Sequence, residues 1–227
     1  MRLIDTHSHL FLEEFSEDFP QVIERARAAG VTHIFMPNID STTIEAMLSA
    51  CSVYKGYCFP MIGLHPTSVN ANYEKELEIV ARELKFSKEY VAIGEIGMDL
   101  YWDKTYLKEQ QIVLDKQVNW ALEYDLPIVI HCRDAFDYIY KVLEPYKKTP
   151  LRGIFHSFTG TAEEATRVLE FSDFFIGING VVTFKKSHLP EILAGIPLEK
   201  IVLETDSPYL TPVPNRGKRN ESAYVKD

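Results

Sequence analysis

Two periods of apolar spacing alternate along this chain. Short runs in which most positions are apolar, as in strands, are followed by longer stretches whose apolar residues fall three and four apart, as in helices. The first run predicts a strand over Arg2–His9. Behind it Phe19, Val22, Ile23, Ala26 and Ala29 recur at helical spacing, with Pro20 in the first turn and Gly30 at the stop. Further strands are predicted over Thr32–Pro37, Tyr57–Gly63, Val91–Gly94, Pro127–His131, Arg152–His156, Phe174–Ile178 and Lys200–Glu204. Helical patterns lie between them. Ile44, Met47, Leu48 and Cys51 mark one, and Leu77, Val80, Ala81 and Leu84 the next. Leu107, Gln111, Leu114, Val118, Ala121 and Leu122 mark a longer one. Ile139, Val142 and Leu143, then Leu189, Ile192, Leu193 and Ile196, mark two more. Thr-x-x-Glu capping boxes at Thr42–Glu45 and Thr161–Glu164 predict where two helices open.

Eight such alternations, without an internal linker, leave either a doubly wound sheet or a closed barrel. Eight units within 227 residues favour the TIM-type (β/α)8 barrel. Only a Pro-rich loop and Glu221–Asp227 follow the eighth strand. The expected fold is one α/β domain over residues 1–227, a barrel shortened at its C-terminal helix.

In a barrel of this kind the chemistry sits at the C-terminal strand ends. Those ends carry His7 and His9, then Asn38, His65, Glu95, His131, His156, and finally Glu204 with Asp206. Five of the seven histidines fall there, and only His33 and His188 do not. Imidazoles and carboxylates without a thiolate suit Zn²⁺, Mn²⁺ or a similar divalent ion. His7, His9, Glu95, His131, His156 and Asp206 are too many ligands for one ion that keeps an open position. Two ions fit better, with Glu95 as the bridge. His7, His9 and Asp206 meet where the first and last strands close the barrel, and His131 with His156 is expected to hold the second ion.

Charge and cysteine content narrow the reading. Twenty-four basic against 33 acidic residues give a net charge of −9, which excludes binding of nucleic acid through a broad basic surface. An anionic substrate must be held locally. Three cysteines, Cys51, Cys58 and Cys132, form no CxxC pair and suit a reducing cytoplasm. No apolar run reaches membrane-spanning length, and Asp5 with two histidines interrupts the only apolar stretch at the N-terminus, so no signal peptide is expected.

The strand-end motifs resemble those of TatD-type metal-dependent deoxyribonucleases, within the amidohydrolase-like barrels. The matching stretches are Asp5–His9, Gly63–Pro66, Gly94–Asp99, His131–Arg133, His156–Gly160, Glu204–Leu210 and Gly217–Glu221, in family order across the chain. The resemblance implies a TIM-type barrel, divalent metal ions (Mg²⁺, Mn²⁺ or Zn²⁺) and hydrolysis of phosphodiester bonds in DNA. It carries over His7, His9, Glu95, His131, His156 and Asp206 as metal ligands and places His65 and Glu204 in the site. Two departures stand out: Ser222 follows Asn220-Glu221 where the family pattern has Pro, and the full last helix is missing.

The expected activity is that of a deoxyribonuclease, an exonuclease, working through a metal-activated water that Asp206 positions or deprotonates. Glu95, His65 and Glu204 complete the catalytic set. His65 reads as a substrate or proton contact, and Glu204 and Asp206, on one strand face, as a pair of which one orients His65 or a basic group. Arg133, Lys185, Arg216, Lys218 and Arg219, in loops on the same face, are candidate phosphate contacts. Tyr101, Trp102 and Tyr209 read as packing residues, with base stacking as the alternative. Cys132 reads as a buried small hydrophobe, and His33 and His188 as structural. Two rival readings keep the metal site: an ester or amide hydrolase such as an aminoacyl-tRNA deacylase, and a metal-binding protein without catalysis. DNA is the expected partner, with neither a membrane nor an obligate protein partner.

Overall fold

The computed structural model describes residues 1–227. Its strands are β1 (Leu3–Asp5), β2 (Val31–Pro37), β3 (Cys58–Met61), β4 (Ile93–Asp99), β5 (Ile128–Arg133), β6 (Gly153–Phe155), β7 (Phe174–Ile178) and β8 (Ile201–Leu203). The helices between them are α1 (Phe19–Ala28), α2 (Ile44–Val53), α3 (Tyr73–Phe86), α4 (Leu107–Tyr124), α5 (Phe136–Leu143), α6 (Ala162–Val168) and α7 (Leu189–Leu193). After β8 the only helical element is a 3-10 turn, Ser222–Lys226.

Neighbouring strands pair in parallel in two arcs, β1-β2-β3 and β4 through β8. Beyond β3, Ile62 pairs with Ile93 and joins the arcs, donating to the Ala92 carbonyl at 3.1 Å and accepting from Gly94 N–H at 2.9 Å. On the opposite side Thr6 N–H donates to Leu203 O at 3.1 Å, Asp206 N–H to His7 O at 2.9 Å and His9 N–H to Ser207 O at 2.8 Å. These bonds close the ring, so the first and last strands are neighbours, as a site sharing His7, His9 and Asp206 demands. The helices turn their apolar faces to it. Val22, Ile23 and Ala26 of α1 and Leu114, Val118 and Ala121 of α4 join Ile34, Ile93, Ile130 and Ile176 in a buried core. Burial of each large aliphatic contributes about 1.5–3 kcal/mol, enough to let the strand ends carry polar groups.

β4 departs from expectation. It runs past Gly94 to Asp99, so Glu95 lies within a strand and not at its end. Gly94 and Gly97 look like stops in the sequence but serve close approach. A Cβ on Gly94 would lie 2.8 Å from Val129 Cβ, and on Gly97, with φ at +134°, it would collide with the His131 carbonyl oxygen. Gly97→Ala is therefore expected to destabilise the metal-free protein by on the order of 3 kcal/mol in chemical denaturation.

β1 ends sooner than expected, at Asp5, and the chain bends at Thr6 yet stays hydrogen-bonded to its neighbours: Ser8 N–H donates to Phe35 O at 3.0 Å. The capping box at Thr161 forms, with Glu164 N–H donating to Thr161 Oγ1 at 3.2 Å and Thr161 N–H to Glu164 Oε2 at 2.7 Å. The one at Thr42 does not. α2 opens at Ile44, and Thr42 donates both N–H (3.0 Å) and Oγ1–H (2.6 Å) to Asp40 Oδ1. A local Asx turn takes the hydroxyl first.

Candidate metal centre

β4 delivers Glu95, only 2% exposed, into the barrel mouth. Its two oxygens face different imidazoles. Oε1 lies 2.7 Å from His156 Nε2, 3.0 Å from His131 Nδ1 and 3.3 Å from His65 Nε2. Oε2 lies 3.1 Å from His7 Nε2 and 3.6 Å from His9 Nε2. Asp206, just past β8, brings Oδ1 to 3.7 Å from His9 Nε2 and 3.8 Å from His7 Nε2. Three donor sets converge closely enough to hold an ion: His7, His9 and Glu95; His7, His156 and Asp206; His65, Glu95 and His131.

These donors are not arranged to satisfy one another. His7 Nδ1 and both ring nitrogens of His156 are buried without a partner in hydrogen-bonding geometry. Buried orphans are rare unless a ligand or ion completes them. The outer sides of the rings are supported instead. His9 Nδ1 lies 3.2 Å from Pro37 O, His131 Nε2 lies 2.9 Å from Asp99 Oδ2, and His156 Nδ1 faces Glu204 Oε1 at 3.4 Å. An acceptor on one ring nitrogen keeps the proton there and frees the other lone pair for a cation. The donor set thus fits a divalent metal. His65 differs: its Nδ1 accepts Thr67 N–H at 3.1 Å, so the nitrogen toward Glu95 carries the proton.

Ionisation follows the packing. Burial pushes Glu95 upward, but the charges of His156, His65 and His7 and a hydrogen bond from His131 outweigh it and hold the carboxyl well below its usual range. Burial works against protonated His156, yet Glu95 and Glu204 keep it well above an ordinary histidine. His131 is likewise raised against burial by its hydrogen bonds to Asp99 and Glu95. His7 is held well below the usual value by burial and by His156, and burial brings His9 down to about 4. Asp206 is pushed up to about 8 by burial, with Glu95 and Glu204 adding to it against the pull of His156.

The sequence profile described as "TatD related DNase" matches residues 4–227. The chain belongs to the TatD related DNase family. It is a metal-dependent hydrolase acting on ester bonds. YabD of Bacillus subtilis, an uncharacterized metal-dependent hydrolase, is 39% identical over 99% of this chain and 87% of its own length. A TatD from a Pantoea species, named a 3'-5' ssDNA/RNA exonuclease, is 34% identical over 98% of this chain and 87% of its own. The crystal structure of YjjV, a TatD homolog from Escherichia coli K12, aligns with a TM-score of 0.91 at 30% identity, covering 99% of this chain and 86% of that one.

The cluster gathers His7, His9, His65, Glu95, His131, His156, Glu204 and Asp206. His131 Nδ1 and His156 Nε2 both face Glu95 Oε1, at 3.0 and 2.7 Å. Their ring centroids are 5.8 Å apart, because Asp99 tethers His131 while His156 stacks on His7 at 3.8 Å. Glu204 and Asp206 lie just past the end of β8, Asp206 with φ at +58°. Glu204 does not pair with His65: it accepts Ser157 N–H at 2.5 Å and backs the basic ring of His156. Asn38 is structural, accepting Gly63 N–H at 2.7 Å.

A cleft of about 680 Å³ opens above the cluster, and among its lining residues are Trp102, Arg133 and Tyr209. Of the five basic residues, Arg133 alone lines it. Arg219 is committed to Asp18 at 2.8 Å and to the Glu14 carbonyl, and Arg216 stacks 3.9 Å over Phe184. Lys185 and Lys218 are exposed outside the lining, and Lys218 accepts from Thr211 Oγ1 through its carbonyl and donates its N–H to Asn215 O. Tyr101 and Trp102 are not packing residues, for they are 53% and 72% exposed.

Two carboxylates escaped the sequence reading. Asp99 holds His131, and it lies four residues past Glu95, on the same face of a strand. Asp5 is fully buried and accepts from Thr205 N–H (2.9 Å), Thr205 Oγ1 (2.7 Å) and Ser222 Oγ (2.5 Å); burial pushes it up to about 7 despite these bonds. Period two, read outward from His7 and Glu95, was the signal for both. Ser222, the departure from the family motif, therefore spends its hydroxyl on Asp5.

Proposed function

We propose that this protein is a two-metal phosphodiesterase that degrades DNA from a single-stranded end. The observation that carries the reading is Glu95, a buried carboxylate with one oxygen toward His7 and His9 and the other toward His131 and His156. His7, His9, Glu95, His131, His156 and Asp206 hold two divalent ions of the Mg²⁺, Mn²⁺ or Zn²⁺ class. When bound, the ions supply Lewis-acid polarisation of the phosphodiester and neutralise its developing charge. The protein's own groups do the rest. Asp206 orients the attacking water and takes its proton at Oδ1. His65 donates through Nε2 toward the substrate, with Thr67 fixing its tautomer. Glu204 holds the His156 ring in register, and Arg133 binds phosphate at the cleft edge.

The name carried by the Pantoea relative supports a nucleic-acid substrate and exonuclease action. The whole chain works as one barrel, a reading supported by the family match over residues 4–227 and by the closed ring of strands. No helix is long and apolar enough to cross a membrane. Free thiols at Cys51, Cys58 and Cys132 support a cytoplasmic setting.

Degradation of a single-stranded oligodeoxynucleotide in Mg²⁺ or Mn²⁺, halted by EDTA, is the expected result; no cleavage in either metal overturns the reading. A narrower test concerns Asp99. Asp99→Ala frees the far nitrogen of His131 and is expected to weaken metal binding about 10- to 100-fold by titration calorimetry.

A further inference from the structure

The cleft mouth carries an aromatic pair for which the metal centre has no use. The rings of Tyr101 and Trp102 meet edge to face, with centroids 4.8 Å apart. The Arg133 guanidinium sits 3.8 Å from the Tyr101 centroid and 5.2 Å from that of Trp102. No acidic side chain or carbonyl pairs with it, whereas Arg25, Arg152, Arg167 and Arg219 are each held by an acidic partner. Its donors remain free while the ring beneath fixes their position.

This group is registered against the metal cluster. Asp99, which holds His131 through Oδ2, accepts Tyr101 N–H through Oδ1 at 3.1 Å. Asp99 also faces Arg133 across the β4–β5 pairing, and Leu100 N–H donates to Arg133 O at 2.9 Å. A flat apolar face beside an unpaired guanidinium matches one repeating unit of a nucleic-acid strand, a π-ring joined to an anion. The net charge of −9 leaves no diffuse basic surface to do the same work.

We infer that Trp102 stacks an unpaired nucleobase of the substrate while Arg133, set on Tyr101, binds the adjoining phosphate. The inference rests on the nuclease reading above and adds the residues that select single strands. Bases inside a duplex already have both faces stacked, so this seat accepts only an unpaired one.

The test uses a short phosphorothioate oligonucleotide that resists cleavage, in Mg²⁺, with fluorescence and anisotropy read together. The chain has two tryptophans, and Trp120 is half-buried on α4, so the signal lost in Trp102→Phe belongs to Trp102. Wild-type fluorescence is expected to fall on adding the single strand and not on adding inorganic polyphosphate. Trp102→Ala is expected to bind the strand about 5- to 150-fold more weakly, the range for losing one stacked base. Trp102→Phe keeps most of the affinity without the fluorescence change. Equal affinity of Trp102→Ala and wild type, or unchanged wild-type fluorescence at saturation, overturns the base seat even where the unmodified oligonucleotide is cleaved normally. Absence of both binding and cleavage in the wild type overturns the nuclease reading, and this inference with it.

Discussion

Glu95→Ala is expected to lower kcat/KM on a single-stranded oligodeoxynucleotide by about 10³-fold or more, since removal of several kcal/mol of transition-state stabilisation is at stake. Every imidazole of the cluster lies within 3.6 Å of one Glu95 oxygen. Without that carboxylate neither ion keeps a full ligand set, and no anionic group joins the two. Charge points the same way. Glu95 is the one carboxylate that faces all five rings, so its loss removes the anion at the centre of the cluster and with it much of the hold on a cation. Elemental analysis after gel filtration is expected to find fewer ions per chain in the variant. Glu95→Gln, which keeps the volume and removes the charge, separates this effect from a cavity in the β4 strand and is expected to lose as much. Wild-type rates with a full metal complement in either variant would sink the two-metal reading.

How far the sequence alone reached can be seen at particular residues. His7, His9, His131, His156 and Asp206 were legible because a parallel barrel places strand ends on one face, and strand ends follow from apolar runs. Glu95 was legible as a site residue although its strand end was not, because Gly94 looked like a stop. Glycines forced by close contact and glycines that break a strand look alike until the neighbours, here Val129 and the His131 carbonyl, are known. Loop residues fared worse. Arg133 and Arg219 were both read as loop residues on the catalytic face, yet Arg133 ends β5 and reaches the cleft while Arg219, in the loop after β8, pairs with Asp18. That choice depends on where α1 sits, which no local period encodes. Grouping within the cluster was legible in part: adjacent strands suggested that His131 and His156 act together, and both rings face Glu95 Oε1, whereas the tether of His131 to Asp99 and the stack of His156 on His7 had no local signal.

Metal affinity is expected to rise by about 100-fold or more between pH 6 and pH 8, because two buried protons must leave before the ions bind. Without metal, Asp206 holds a proton up to about pH 8, and His156 stays protonated well above the ordinary histidine range. A cation needs the carboxylate and the neutral imidazole. Below pH 8 displacement of the Asp206 proton alone costs about a decade of affinity for each pH unit, and the His156 proton adds to the slope. The linkage sign for folding is the reverse. Both groups have folded-state values above their unfolded ones, so their contribution to the metal-free fold is fully present at low pH. It is lost as pH rises, between about 3.8 and 8 for Asp206 and from about 6.5 upward for His156. His9 titrates near 4 and burial holds His7 well below the ordinary histidine range, so neither reverses the trend above pH 6. The metal-loaded and EDTA-treated proteins should therefore draw apart in Tm as pH is raised from 6 to 8, since the apo fold weakens while the metal binds more tightly. Calorimetric titration in buffers of different ionisation enthalpy reads the released protons directly. Binding that is independent of pH over this range, with no proton released, would show that Asp206 and His156 are not ligands, whatever the activity of the loaded enzyme.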